Sequence, residues 1–435
     1  KCWYNDYLDK FVLPSFDYAR KKYGYVPRFV QNAIMSNLQW RLTERTVPTV
    51  VNEEELEQYK KSLLLAIKQI DDDIIMKQRH CSPDVRIYML SKKHDADSFV
   101  TRECEDIILG FDSYTNSRLS TSSFSLDFVS VTEDKVLLSA RKTFLTPVGN
   151  VSGGFIKLGD KKIDATGVSY MEHTLFLGES ASRDLVLSFE IPREALSNEN
   201  ELKFYCICDD IIVQNANLSF GPFFPIEKKY KNSYFLDDGL LFEKRADCLL
   251  ISKKRNARKN ERRLTREIWK SNKLGERKAV LARALARIYK FFHRKPIWLI
   301  SDRVNKSGDN GEAFFRHLKK IKFKGAKYYY AISKCPSYYK MKKLGGVVNY
   351  NSLKYKVMHL ACDTIISAQA DLNVTNPFAY YSQPYKDILT RKRFIFLQHG
   401  IIESDLSGWL NKYNKNLTGF TCTVEKEYRS ILDGS

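Results

Sequence analysis

Short apolar runs alternate with helix-period segments throughout residues 295–435, and this alternation constrains the fold more than any other feature of the chain. Ile297–Ser301, Tyr328–Ser333, Val347–Tyr350, Thr364–Ala368, Phe394–Gln398 and Phe420–Val424 read as strands. Gly311–Ile321, Ser337–Lys343, Ser352–Ala361 and Glu425–Leu432 read as helices between and after them. Strands this apolar, interleaved with helices, predict a parallel sheet covered on both faces, a doubly wound α/β arrangement. The dinucleotide fingerprint G-x-G-x-x-G is absent, which disfavours a nicotinamide or flavin, and no cofactor is expected.

Two stretches inside this region carry chemistry. In R-F-I-F-L-Q-H-G-I (Arg393–Ile401) an apolar run ends abruptly at Gln398-His399-Gly400. His399 is thus expected at the carboxyl end of a strand, where open α/β sheets place reactive groups, and its imidazole can take a proton near neutral pH. The second stretch is K-P-I-W-L-I-S-D-R-V-N-K-S-G-D-N-G-E-A-F-F (Lys295–Phe315): a strand, a polar loop, and a helix opening at Gly311–Glu312. Glycines and acidic or hydroxyl groups ahead of a helix suit a polar ligand near the helix N-terminus, although G-D-N-G is also an ordinary turn.

Taken together, W-L-I-S-D-R…D-N-G-E-A-F-F, the I-I-S-A-Q-A-D run at Ile365–Asp371 and L-Q-H-G-I…D-L-S at Leu397–Ser407 resemble the CDP-glycerol glycerophosphotransferase family, the polymerases of teichoic acid and related capsules. Better-known wall polymerases carry Trp before the His and Thr after the Gly; here those positions hold Gln398 and Ile401, which leaves the polyol open. The resemblance implies a glycosyltransferase-B-like architecture, of which residues 295–435 would be the first, incomplete Rossmann-like half. It implies transfer of glycerol phosphate, or a related polyol phosphate, from a CDP-activated donor to a growing, lipid-linked polymer, with release of CMP. In that reading His399 takes the acceptor hydroxyl proton. Asp302, Arg303, Asp309 and Asn310 line the acceptor side, and Ser367, Gln369, Gln398 and Asp405 are further substrate-binding candidates. A nucleotide-sugar glycosyltransferase of the same architecture and a non-catalytic membrane-associated scaffold are the competing readings.

The full expectation is a multidomain α+β and α/β chain. Residues 1–83 read as helices (Lys1–Tyr23, Phe29–Trp40, Glu53–Ile70) and resemble the C-terminal tail of an upstream glycosyltransferase. Asp71–Asp73 reads as a solvated turn. Residues 84–252 contain regularly spaced short strands, from Arg86–Leu90 to Ala246–Ile251, and predict an antiparallel β-sandwich-like spacer in which His173 is structural. Residues 253–294 form a basic helical linker. With Lys295 included, this stretch holds 17 Lys or Arg against three Glu. Leu281, Leu285, Ile288 and Phe292 share one helical face, flanked by Arg283, Arg287, Lys290 and Arg294, which suits an anionic membrane surface. A packed linker is the competing reading. Nucleic acid is not expected, because no nucleic-acid fold motif accompanies the charge.

The 435 residues suffice for two to four domains, and the net charge is +20. No run approaches the roughly 20 apolar residues of a membrane span, so no transmembrane helix is expected; the family resemblance and the basic helix imply a peripheral place on the cytoplasmic face of the membrane. Nine cysteines show no metal-ligand spacing, and no metal is expected. The chain starts at Lys1 and stops at Ser435 within the last α/β pattern, so it reads as a fragment.

Overall fold

The computed structural model describes residues 2–94, 100–110, 117–149, 151–245, 247–253, 258–271, 274–378, 383–398, 400, 410, 415 and 417–433. Within them the chain is a mixture of helices, antiparallel sheets and one parallel sheet.

The first stretch is helical, as expected. After two π-helical turns the chain runs through Leu13–Tyr23, stops at Gly24 with φ of 77°, and restarts after Pro27 as Arg28–Arg41. Glu53–Ile67 opens with a capping box between Asn52 and Glu55, so two otherwise orphaned amides are satisfied at its start. Asp71 and Asp73 are held by Arg28, and Asp72 by Lys93 and His94. These carboxylates tie helices together rather than forming a solvated turn. One expected strand is wrong: Arg86–Leu90 lies inside the helix Pro83–Lys93. Ser82 caps that helix through Val85 N, and Pro83 sits in its first turn. The Ser-Pro-Asp start outweighed the β-like run R-I-Y-M-L.

Two sheets then pack face to face. One has five strands, in the order Leu218–Phe220, Phe124–Val131, Lys135–Leu145, Glu179–Pro192 and Gly167–Phe176. The other has seven, centred on Glu199–Cys208 and Val151–Leu158. Phe124 and Phe189 of the first sheet meet Phe204 of the second at ring distances of 5.6 and 6.3 Å. Gly154 is required there: a Cβ would lie 2.6 Å from Leu187 Cδ1 and 2.5 Å from Tyr205 O. Cys206 and Cys208 both point into this core and are fully buried. The apolar core continues from the sheets into the helices, which dock through Asp84, whose carboxylate accepts from Thr174 and Ser182.

The linker forms two helices, Arg258–Lys270 and Leu274–Phe292. Among the described residues no helix is long and apolar enough to cross a membrane.

The last region is the expected parallel sheet. Its six strands lie in the order Val347–Asn349, Lys327–Ile332, Ile297–Ser301, Thr364–Ser367, Arg393–Phe396 and Gly419–Phe420, all parallel. Numbered along the chain from Ile297, that is 3-2-1-4-5-6, the doubly wound order. The order reverses between Ile297–Ser301 and Thr364–Ser367, so ligands are expected in the crevice beyond the carboxyl ends of those two strands.

Candidate functional site at the carboxyl edge of the parallel sheet

Ser301 and Ser367 end the two strands at the reversal point and are register partners. Ser301 Oγ donates to Ser367 Oγ at 3.0 Å, and Ser367 Oγ in turn accepts from Gln369 N at 3.0 Å. Both serines are buried, so this pair closes the floor of the crevice.

Asp302, the next residue, is 1% exposed. Its carboxylate accepts from Gly311 N (2.8 Å), Glu312 N (2.9 Å), Asp309 N (3.3 Å) and Tyr330 OH (2.7 Å). Burial raises its pKa, and these donors work against that rise. Gly311 is needed for this approach, since a Cβ would fall 2.4 Å from Asp302 Oδ1. The sequence predicts a ligand at this helix N-terminus; in the described structure the carboxylate of Asp302 lies on its first amides. With these bonds Asp302 ties the loop to the helix start.

The other loop residues divide by role. Asp309 is the N-cap of Asn310–Lys320 and accepts from Asn310 N at 2.8 Å. Asn310 Nδ2 donates to Leu397 O (3.2 Å) and Gln398 O (2.8 Å), so it joins the two sequence motifs directly. Arg303 is exposed beside them.

Gln398 takes a positive φ of 58°, uncommon for a residue with a side chain, and is 7% exposed. Its Nε2 donates to Gly400 O at 2.6 Å and to Glu427 Oε1. Glu427 is buried, and its other oxygen accepts from Thr423 N at 2.8 Å. The reading of the sequence missed Glu427, Ser301 and Tyr330. A signal for Glu427 did exist, in a Thr423 followed four residues later by a carboxylate at the start of a helix. Among the described residues, two buried amide atoms at this edge have no hydrogen-bond partner, Gln369 Nε2 and Gln398 Oε1. Buried polar groups are nearly always paired, so these two are candidates for bonding a ligand, as are unpaired buried atoms elsewhere such as Tyr59 Oη and Ser252 Oγ. His399 and Asp405 lie outside the described residues.

The four basic residues assigned to a membrane face separate. Arg283 is corrected: it is 6% exposed, bonds Glu261 through Nε at 2.9 Å, and reaches Asp387 with both terminal nitrogens. Its guanidinium also stacks on Tyr385 at 4.3 Å. An inward ion pair, not lipid, explains this arginine. Arg287 and Lys290 lie at the surface and pair with Glu261 and Asp363, and Arg294 is exposed. Leu281, Leu285, Ile288 and Phe292 are 48%, 36%, 55% and 73% exposed, while Ala279, Ala282 and Ala286 face inward. The apolar stripe is not packed within the described chain.

Among the described residues no group of three or more His, Cys, Asp or Glu is placed to hold a metal. His173 pairs with buried Asp184 at 3.1 Å beside Arg141, in an ion network on the five-stranded sheet.

No family model matches the chain. It is 28% identical over 452 aligned residues to the minor teichoic acid biosynthesis protein GgaB of Bacillus subtilis (strain 168). The alignment covers 100% of this chain and 50% of that protein, so the chain spans about half the length of its relative. This likeness runs the whole length of the chain and supports the resemblance to the CDP-glycerol glycerophosphotransferase family that its motifs carry.

Proposed function

We propose that this chain is part of a teichoic acid polymerase that transfers glycerol phosphate, or a related polyol phosphate, from a CDP-activated donor to a polymer end. The observation that carries the proposal is the meeting of the two motifs. Asn310, from the D-N-G-E helix start, holds the carbonyls of Leu397 and Gln398, the two residues before His399. The relative's role in teichoic acid biosynthesis supports the same reading.

In this reading the parallel sheet is the first half of a glycosyltransferase-B-like pair, and its carboxyl edge receives the acceptor. A terminal hydroxyl of the polymer attacks the β-phosphorus of the donor, the bond to the CMP oxygen breaks, and CMP leaves. His399 takes the hydroxyl proton, which contributes typically 10²–10⁴-fold. Phosphoryl transfer otherwise depends on positioning and charge stabilisation. Gln369 Nε2 and Gln398 Oε1 supply a donor and an acceptor to the polyol, and exposed Arg303 suits a polymer phosphate.

The exposed stripe Leu281, Leu285, Ile288, Phe292 lies on an anionic membrane surface in this proposal, with Arg287 and Arg294 toward headgroups and Arg283 holding the helix to the body. Access to a lipid-linked acceptor follows from that placement.

The test offers radiolabelled CDP-glycerol, CDP-ribitol and UDP-sugars to the whole protein that carries this chain, with a lipid-linked primer. Label entering polymer from a CDP-polyol, with CMP released in equal amount, is the expected result. Incorporation from a UDP-sugar alone would overturn the proposal in favour of sugar transfer.

A further inference from the structure

The helix Arg258–Lys270 and the loop Glu227–Ser233 bound two adjoining clefts of about 570 and about 530 Å³ that share Lys229, Asn232 and Arg263. The walls are strongly basic. Lys228 and Lys231 stand on the loop side, and Arg263, Arg266 and Lys270 on the helix side. None of these five has an ion-pair partner among the described residues. The acids nearby are already engaged. Glu267 accepts from Lys231 N, Asn232 N and Asn232 Nδ2 at 2.8, 3.0 and 2.8 Å, which fixes the loop to the helix. Glu243 accepts from Asn260 at 3.0 Å, and Lys229 is paired with Glu276. The groove is therefore pre-formed, and its described lining holds eight Lys or Arg against two Glu, a net positive field that draws in anions.

We propose that these clefts form one binding groove for a polyol-phosphate polymer, a flexible chain with a phosphodiester at every repeat. The proposal rests on the teichoic acid reading for its choice of polymer. Arg263, Arg266 and Lys270 recur at three and four residues, so they share a helix face and rise about 10 Å along it. That row meets successive phosphates of an extended polymer, and Lys228 and Lys231 close on them from the opposite lip. Base-stacking platforms are missing: Tyr230, the aromatic residue among the described lining, is 3% exposed, which disfavours single-stranded nucleic acid. A flat bilayer is disfavoured by the concave, polar walls, and the exposed apolar stripe belongs to the following helix. The groove's lining shares no residue with the serine pair at the sheet edge, so in this proposal it holds polymer already made rather than the reacting end.

The test measures binding, not turnover. An end-labelled glycerol phosphate oligomer is titrated into the full protein and followed by fluorescence anisotropy over a range of salt. The Arg263→Gln, Arg266→Gln double variant should weaken binding at least about tenfold and flatten the salt dependence by roughly 0.7 in log–log slope per lost phosphate contact. Both arginines are exposed, so the melting temperature should not move. An oligothymidylate of equal charge and phosphatidylglycerol vesicles serve as the other arms, and neither should lose binding in parallel. Unchanged oligomer binding by the variant overturns the groove. Equal affinity for oligothymidylate, or loss of vesicle binding instead, overturns the choice of occupant. Polymer binding without transfer from any CDP-polyol would count against the proposed reaction and not against the groove.

Discussion

Lys142 in the sandwich and two glutamines at the edge of the parallel sheet bury polar side-chain atoms in different states. In the sandwich, Lys142 is fully buried, and its ammonium donates to Leu119 O, Ser122 O and Asn215 Oδ1, each at 2.7 Å. At the carboxyl edge of the parallel sheet, Gln369 Nε2 and Gln398 Oε1 are buried with no partner among the described residues. A satisfied buried group holds a fold together, whereas an open one keeps its bonding capacity for a ligand.

The largest effect expected belongs to the satisfied class. Arg283→Ala leaves the carboxylates of Glu261 and Asp387 without their shared cation, a loss of about 3–5 kcal/mol measured by chemical denaturation. A cost under about 1 kcal/mol would mean that the knot between linker and sheet region contributes little.

A pH series sharpens the same side. Burial lowers the Lys142 pKa to about 8, against about 10.4 in an unfolded chain. Between those values the unfolded state binds more protons, so stability rises with pH as the folded-state ammonium is relieved of its burial penalty. The gain amounts to about 3 kcal/mol at most. Lys386, also held near 8 by burial, contributes in the same sense. The stability of the wild type minus that of Lys142→Met should therefore climb from pH 8 to pH 10. A flat difference would remove Lys142 as the cause.

The smallest effect tests the comparison itself. Asn215→Leu takes a partner from Lys142 and should cost about 1–3 kcal/mol. Gln369→Leu removes an amide that pairs with nothing described, so its melting curve should stay within about 0.5 kcal/mol of wild type while transfer falls. If Gln369→Leu destabilises as much as Asn215→Leu, Gln369 is structural.

The order of strands and helices after Lys295 was legible because each strand is a short apolar run bounded by Gly, Pro or polar turns. Helix Pro83–Lys93 was misread because R-I-Y-M-L satisfies a strand pattern when its Ser-Pro cap is overlooked. At the site, residue type pointed to Asp302, Gln369 and Gln398, but type does not reveal what a side chain already bonds. Asp302 looked like a ligand group and serves the helix start; Glu427, 125 positions after Asp302, could be joined to Gln398 only by folding. Arg283 shows the same limit: its spacing matched Arg287, Lys290 and Arg294, yet its position faces Asp387.

The proposed function makes His399 the base of a polyol-phosphate transfer. His399→Ala in the whole protein, assayed with the CDP-polyol it uses, tests this most directly. The account predicts a fall in kcat of about a hundredfold or more with an unchanged melting temperature. Turnover within a few-fold of wild type would contradict it.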